Sequence, residues 1–130
     1  MISPDIEEYN RAQTSEEVLI CDALAKLIDA NMMSAECKVW HRHPVWFIDG
    51  NPIVGYSKQK AGIHLMFWSG QSFEEPLLKA SGSFKAAGIT YDSIEKMDPS
   101  IIRKWLEKSE AIQWDYKNIV KRKGVLERLK

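Results

Sequence analysis

The stretch VWFIDGNPIVGYSKQKAGIHLMFW, residues 45–68, decides the fold. It contains three short apolar runs, at residues 45–48, 53–57 and 62–68, and an Asp-Gly-Asn-Pro sequence separates the first two. Apolar runs of this length between turn residues are typical of β-strands joined by tight turns. The stretch therefore predicts three consecutive antiparallel strands.

The third run indicates that both faces of this sheet are apolar. Successive side chains of a strand point to opposite faces. The predicted faces carry Ile63, Leu65 and Phe67 on one side and His64, Met66 and Trp68 on the other. Because a sheet with one face in water alternates apolar with polar side chains, the second face needs a cover. The candidates are a short helix, the N-terminal arm, a second subunit in a homodimer, or a ligand.

Helical patterns precede the predicted strands. Thr14 and Glu17 have the spacing of a capping box, and the apolar period that follows predicts a helix to about Asn31. Before this helix, Ser3 followed by proline predicts a short helix or N-terminal arm over residues 1–13.

The second half of the chain predicts further elements. The pattern predicts a short helix over residues 73–79 and a strand over residues 89–94. Asp98 followed by proline predicts the start of a long helix, and Gly124 is its predicted end. Residues 124–130 are a basic tail. This order predicts an α+β fold, a two-layer sandwich with an antiparallel sheet and the N- and C-terminal helices packed on one face.

Length and composition indicate one globular domain over residues 1–130. The 45% apolar content is ordinary for a packed domain of this size. Two cysteines are too few for a disulfide scaffold, and no apolar run approaches the roughly 20 residues that a membrane span needs. The acidic start differs from a signal peptide, so we expect a cytoplasmic protein that does not enter a membrane.

The charge is balanced overall but unevenly placed. Lysine plus arginine number 18 and aspartate plus glutamate number 18, which argues against a dedicated nucleic-acid binder. Residues 1–36 contain eight acids and two bases, whereas residues 117–130 contain six bases and one acid. Since Trp114 and Tyr116 adjoin this basic stretch, a nucleic-acid accessory using the tail is one hypothesis. Complementation of a helix dipole explains the same bases without a partner.

Aromatic and imidazole side chains suggest a small-molecule pocket on the second face of the sheet. The candidates are Trp40, His41, Trp46, Tyr56, His64 and Trp68. Tryptophan and tyrosine supply a large contact area with one polar group each. An ordinary aromatic core or a dimer seam contains the same residue types.

A second candidate site is a short cluster of metal-ligating residues. Cys37, His41 and His43 lie within seven residues, and zinc and iron sites use these types. A closed zinc site usually needs a second ligand pair, which the sequence lacks, so we expect no cofactor and keep iron or zinc as the alternative. Phosphate-loop, G-x-S-x-G and H-E-x-x-H motifs are also absent, which predicts a protein that is not an enzyme.

Four motifs along the chain carry a family resemblance. They are Trp40-His41-x-x-Pro44-Val45-Trp46, the block from Gly50 to Lys60 with its Gly-Tyr-Ser-x-x-Lys sequence, Ile63-x-Leu65-x-Phe67, and Leu77-Leu78-x-x-Ser81-Gly82-x-Phe84-Lys85. Together they resemble the YdhG-like family, a domain of unknown function, from about Tyr9 to Val120. The resemblance implies a frataxin-like two-layer sandwich, which agrees with the predicted element order.

The resemblance also offers iron delivery as a function, because some members of the family are described as frataxin-like iron chaperones. Frataxin-type iron binding uses exposed carboxylates on the first helix, and the matching candidates are Asp22 and Asp29, with Lys26 between them. Our leading hypothesis is a small YdhG-like domain, monomer or homodimer, that binds a small ligand or a protein partner over its aromatic second face. The iron carrier is the alternative.

Overall fold

The computed structural model describes residues 1–130 and contains three α-helices and one six-stranded sheet. The helices are α1 (Pro4–Arg11), α2 (Ser15–Asn31) and α3 (Pro99–Ala111). The strands are β1 (Glu36–Trp40), β2 (His43–Ile48), β3 (Asn51–Gln59), β4 (Gly62–Phe67), β5 (Lys79–Ala80) and β6 (Ala87–Tyr91), in the spatial order β1-β2-β3-β4-β6-β5. Every neighbouring pair is antiparallel, so the predicted α+β class with an antiparallel sheet is confirmed.

The predicted three-strand meander is confirmed as β2, β3 and β4. It contains one irregularity, because Trp46 is opposite Val54 whereas Phe47 is opposite Pro52. Ile53 is therefore an extra residue in β3, the arrangement of a β-bulge. The bulge allows the consecutive residues Ile53 and Val54 both to contribute to the same buried core.

Local sequence signals set the starts of α2 and α3 as predicted. The Thr14 hydroxyl accepts a hydrogen bond from the backbone N–H of Glu17, and the Glu17 carboxylate accepts one from the N–H of Thr14, which completes the capping box. Asp98 caps α3 by accepting from the N–H groups of Ser100 and Ile101. No helix combines the length and the apolar character needed to cross a membrane.

The predicted long C-terminal helix is wrong beyond Ala111. Ile112 is extended, and the chain then doubles back so that Trp114 pairs with Arg128 across an antiparallel bridge. The buried Asp115 carboxylate accepts from the N–H of Asn118, and such a turn competes with a helix. We call residues 112–130 the C-terminal segment.

The short helix predicted over residues 73–79 is also wrong. The chain forms a 3-10 turn over Gly70–Phe73, and Glu74 then adopts a left-handed conformation with φ of 58°. Pro76 follows and cannot supply the backbone N–H that a continuing helix needs. Residues Lys79–Ala80 instead form the edge strand β5.

The three helices cover one face of the sheet and enclose the main core. Ile6 of α1, Leu24 of α2 and Trp105 of α3 belong to one buried cluster with sheet residues such as Leu65 and Phe67. The side chains of the third predicted strand divide as expected, because Ile63, Leu65 and Phe67 are in this core. The opposite face of the sheet carries no helix, and we call it the second face.

Candidate functional site

A compact group of apolar side chains lies on the second face. Its members are Trp40 of β1, Val45 and Phe47 of β2, Met66 and Trp68 at β4, and Tyr116 of the C-terminal segment. We call these six residues the aromatic patch. Val45, Phe47 and Trp68 are at most 9% exposed, although no helix covers them.

Ring geometry shows that the aromatic patch is packed. The Trp40 and Phe47 rings meet edge to face with centroids 5.4 Å apart, and the Trp68 centroid is 6.4 Å from that of Trp40. These separations are in the range of favourable aromatic pairs. The Lys38 ammonium group lies 5.2 Å from the centroid of Phe47, as in a cation–π contact.

The C-terminal segment is attached to the second face by a buried asparagine. Asn51 is 3% exposed, its Nδ2 donates to the carbonyl of Trp114 at 2.9 Å, and its Oδ1 accepts from the N–H of Lys117 at 2.9 Å. The hydroxyl of Tyr116 accepts from the N–H of Lys85 at 3.0 Å. These bonds hold Tyr116 against the aromatic patch.

Trp114 also holds the C-terminal segment in place. Its backbone N–H donates to the Ser69 hydroxyl and its Nε1–H to the Ser72 hydroxyl, each at 3.0 Å. The Lys85 ammonium lies 4.8 Å from the Trp114 ring centroid, and the Arg128 guanidinium lies 5.9 Å from it. The ring that suggested a nucleic-acid surface is thus occupied by contacts within the protein.

A cavity of about 500 Å³ lies between the aromatic patch and the C-terminal segment. Its apolar walls are Trp40, Phe47, Pro52, Tyr116, Ile119 and Val120. We call it the large cavity. The sheet supplies the first three of these residues and the C-terminal segment supplies the others, so the cavity exists only because the segment is folded back.

Charged side chains also line the large cavity. Lys38 comes from β1 and Lys117 from the C-terminal segment, and neither forms an ion pair with a carboxylate. Lys117 Nζ donates to the carbonyl of Asp49 at 2.8 Å. Glu36 is the acidic residue of the lining, which also includes Cys37, Gly50 and the exposed His41.

A smaller cleft of about 180 Å³ lies elsewhere on the second face and includes His43, His64, Met66 and Trp68. His64 Nδ1 is 2.9 Å from the Thr90 hydroxyl oxygen, whereas His43 Nδ1 is buried without a hydrogen-bond partner. Burial lowers the pKa of both histidines, because the charged imidazolium loses hydration.

The predicted pocket residues divide between the two faces. Trp40 and His41 line the large cavity, and His64 and Trp68 line the smaller cleft. The side chains of Trp46 and Tyr56 instead belong to the helix-covered core, although Tyr56 is also among the residues that line the smaller cleft. Trp46 follows Val45, and strand alternation turns it to the other face. The Tyr56 hydroxyl donates to Asn10 Oδ1 of α1 at 2.7 Å.

The predicted metal cluster does not come together. Cys37 packs against the helix-covered core, and its Sγ is 3.3 Å from the Met1 carbonyl oxygen. His43 lies on the second face, and His41 is exposed in the β1–β2 turn with its ring centroid 4.2 Å from that of Trp40. No group of three or more histidine, cysteine, aspartate or glutamate side chains is placed to hold a metal ion.

The two α2 carboxylates proposed for iron make separate local contacts. Asp22 accepts from Asn10 Nδ2 at 3.2 Å, and Asp29 pairs with the N-terminal ammonium group at 3.0 Å. Lys26 is exposed on the same helix between them.

Sequence reasoning missed several cavity residues. Lys38 was detectable, since Cys37 and Val39 alternate with Lys38 and Trp40 in β1 and indicate a strand with two distinct faces. No such signal marks the cavity residues of the C-terminal segment, which are Tyr116, Lys117, Ile119 and Val120. Their apolar period predicts the continuation of the long helix instead.

Comparison with known proteins identifies the fold. No family model matches the sequence, and no curated protein matches it. The crystal structure of YdhG, a DUF1801 family protein from Bacillus subtilis, matches with a TM-score of 0.58 and 12% sequence identity, over 92% of this chain and 91% of that chain. The two chains share a fold, so the resemblance to the YdhG-like family is confirmed at the level of the fold.

Proposed function

We propose that this chain, which has the fold of YdhG from Bacillus subtilis, is a YdhG-like binding domain that takes a small apolar ligand in the large cavity. The observation that carries the proposal is the recess of about 500 Å³ walled by Trp40, Phe47 and Tyr116. Small-molecule sites typically enclose roughly 300 to 1,000 Å³ and are lined mainly by apolar and aromatic side chains.

The depth of the aromatic patch favours a small ligand over a protein partner. Val45 is fully buried and Phe47 is 9% exposed, so a flat partner surface makes little contact with either. Trp40 is half-buried and offers its ring from the wall of the cavity. A planar apolar molecule fits such a recess because it packs against the rings without leaving polar groups unpaired.

The proposal is tested with phenylnaphthylamine, a neutral aromatic dye whose fluorescence rises in apolar surroundings. We expect saturable binding of one dye per chain, and shifts of the amide resonances of Gly50, Lys117 and Val120 on titration. Trp40→Ala removes an aromatic wall and is expected to weaken binding about tenfold, the order that a well-packed tryptophan contributes to recognition.

The matched control is Leu77→Ala. Leu77 is an apolar residue that is 51% exposed and lies outside the large cavity. This variant should bind the dye like the original protein, and circular dichroism should show that both variants are folded. Absence of saturable binding, or equal binding by Trp40→Ala and the original protein, would contradict the proposal.

A further inference from the structure

Resting on the proposed function, we infer that the ligand of the large cavity carries an anionic group, a carboxylate, sulfonate or phosphate, beside its apolar body. The inference comes from Lys38 and Lys117, which line the cavity from the sheet and from the C-terminal segment. Each brings a positive charge next to apolar walls and has no carboxylate partner.

Strand geometry fixes the position of Lys38. Lys38 is opposite Val45 in the β1–β2 ladder and therefore belongs to the second face. Its ammonium group lies 5.2 Å from the centroid of Phe47, whose ring is a wall of the cavity. An aromatic ligand against Phe47 thus has a cation within reach of its substituents.

Backbone contacts fix the position of Lys117. Its N–H donates to Asn51, and its ammonium group donates to the carbonyl of Asp49 at 2.8 Å, which leaves two ammonium hydrogens unused. A Cβ atom at Gly50, where φ is +78°, would lie 3.2 Å from Lys117 Cε. Glycine therefore gives the lysine stem room to cross this turn, and a charge held in place binds with less loss of entropy.

Glu36 is the one carboxylate of the lining. It lies on β1 two residues before Lys38 and pairs with neither lysine. Two lysines against one glutamate leave a positive balance beside the apolar walls. An amphipathic anion is therefore favoured over an equally apolar cation or neutral molecule.

The test compares phenylnaphthylamine with anilinonaphthalene sulfonate, which has the same aromatic skeleton and adds one negative charge. We expect the sulfonate to bind about fivefold more tightly at low salt, since a partly exposed ion pair contributes up to about this factor. Added salt should reduce the preference. Lys38→Met keeps the apolar stem and should remove most of the preference, measured as the ratio of the two dye affinities within the same variant.

The matched control is Lys26→Met, which removes an exposed lysine from α2 on the helix-covered side. It should retain the sulfonate preference. If phenylnaphthylamine binds in the cavity and the sulfonate binds no better, or if the preference survives in a Lys38→Met, Lys117→Met double variant, the anionic ligand is excluded and the apolar site remains. If neither dye binds, the proposed function fails as well.

Discussion

His64 shows how a single residue of the second face is constrained. Its Nδ1 is 2.9 Å from the Thr90 hydroxyl oxygen, and a Cβ atom at Gly88 would lie 2.6 Å from its Nε2. The His64 ring therefore lies directly over Gly88, and any larger residue at position 88 would displace the ring. The ring is half-buried in this position, and burial lowers its pKa. Burial lowers the pKa of His43 in the same way.

These lowered pKa values predict a pH-dependent stability. The unfolded chain has the ordinary histidine pKa of about 6.5 and takes up protons before the folded chain does as the pH falls. The free energy of unfolding is therefore highest above pH 6.5 and decreases as the pH falls through the folded pKa of His64. Urea unfolding between about pH 5 and pH 7.5 should show this slope, and His64→Gln should reduce it to the contribution of His43.

His41→Gln is the control, because His41 is exposed in the β1–β2 turn. Its unfolding free energy should keep the pH slope of the original protein. A titration of the imidazole proton resonances gives the folded pKa of His64 directly, and a value above 6.5 would overturn this prediction.

At the scale of elements, Asn51 decides whether the C-terminal segment stays on the sheet. Asn51→Ala removes two hydrogen bonds. One is donated by Asn51 to the carbonyl of Trp114, and the other is accepted by Asn51 from the N–H of Lys117. We expect the free energy of unfolding to fall by about 2 kcal/mol, near 1 kcal/mol for each lost bond. Amide hydrogen exchange at Lys117 should accelerate. The affinity for phenylnaphthylamine should decrease, because Tyr116 is no longer held in the wall of the cavity.

Asn31→Ala is the matched control for this variant. Asn31 is exposed and donates to the Leu27 carbonyl at 2.8 Å within α2, so its loss should leave exchange at Lys117 unchanged. Equal exchange rates at Lys117 in Asn51→Ala and the original protein would show that the segment is held by other contacts.

The elements that could be predicted are those specified by neighbouring residues. The capping box of Thr14 and Glu17, the Asp98 cap and the alternation within β4 all depend on residues a few positions apart. The C-terminal segment could not be predicted, because Asn51 and Ser69, which position its backbone, lie far away in sequence. Tertiary hydrogen bonds override a helical period in such a segment.

The same distinction explains how much of the candidate site was accessible from sequence. His64 and Trp68 could be assigned to the second face because strand alternation within β4 is local. Half of the apolar walls of the large cavity come from the C-terminal segment, so the cavity was not visible in the pattern. The apolar residues on both faces of the predicted strands indicate a binding face without showing where it opens.

At the scale of the whole molecule, a net charge of zero conceals two separated regions. Acidic residues concentrate in the N-terminal 36 residues, which include α1 and α2, and six bases lie between Lys117 and Lys130. No ion pair joins these two regions. Glu17 pairs with Lys58, and Arg122 pairs with Asp115 and Glu127 inside the C-terminal segment.

This separation predicts that the protein, although neutral overall, binds a sulfonate cation exchanger at pH 7 and low salt through the C-terminal segment. Lys121 and Lys123 are exposed there, and their joint replacement, Lys121→Glu with Lys123→Glu, should lower the salt concentration of elution markedly. Lys26→Glu with Lys60→Glu changes the net charge by the same amount at exposed positions elsewhere and should lower it much less. Equal shifts for the two double variants would mean that net charge alone governs retention. A larger shift for the C-terminal pair requires a localised basic surface, because screening confines each charge to roughly 10 Å at moderate salt.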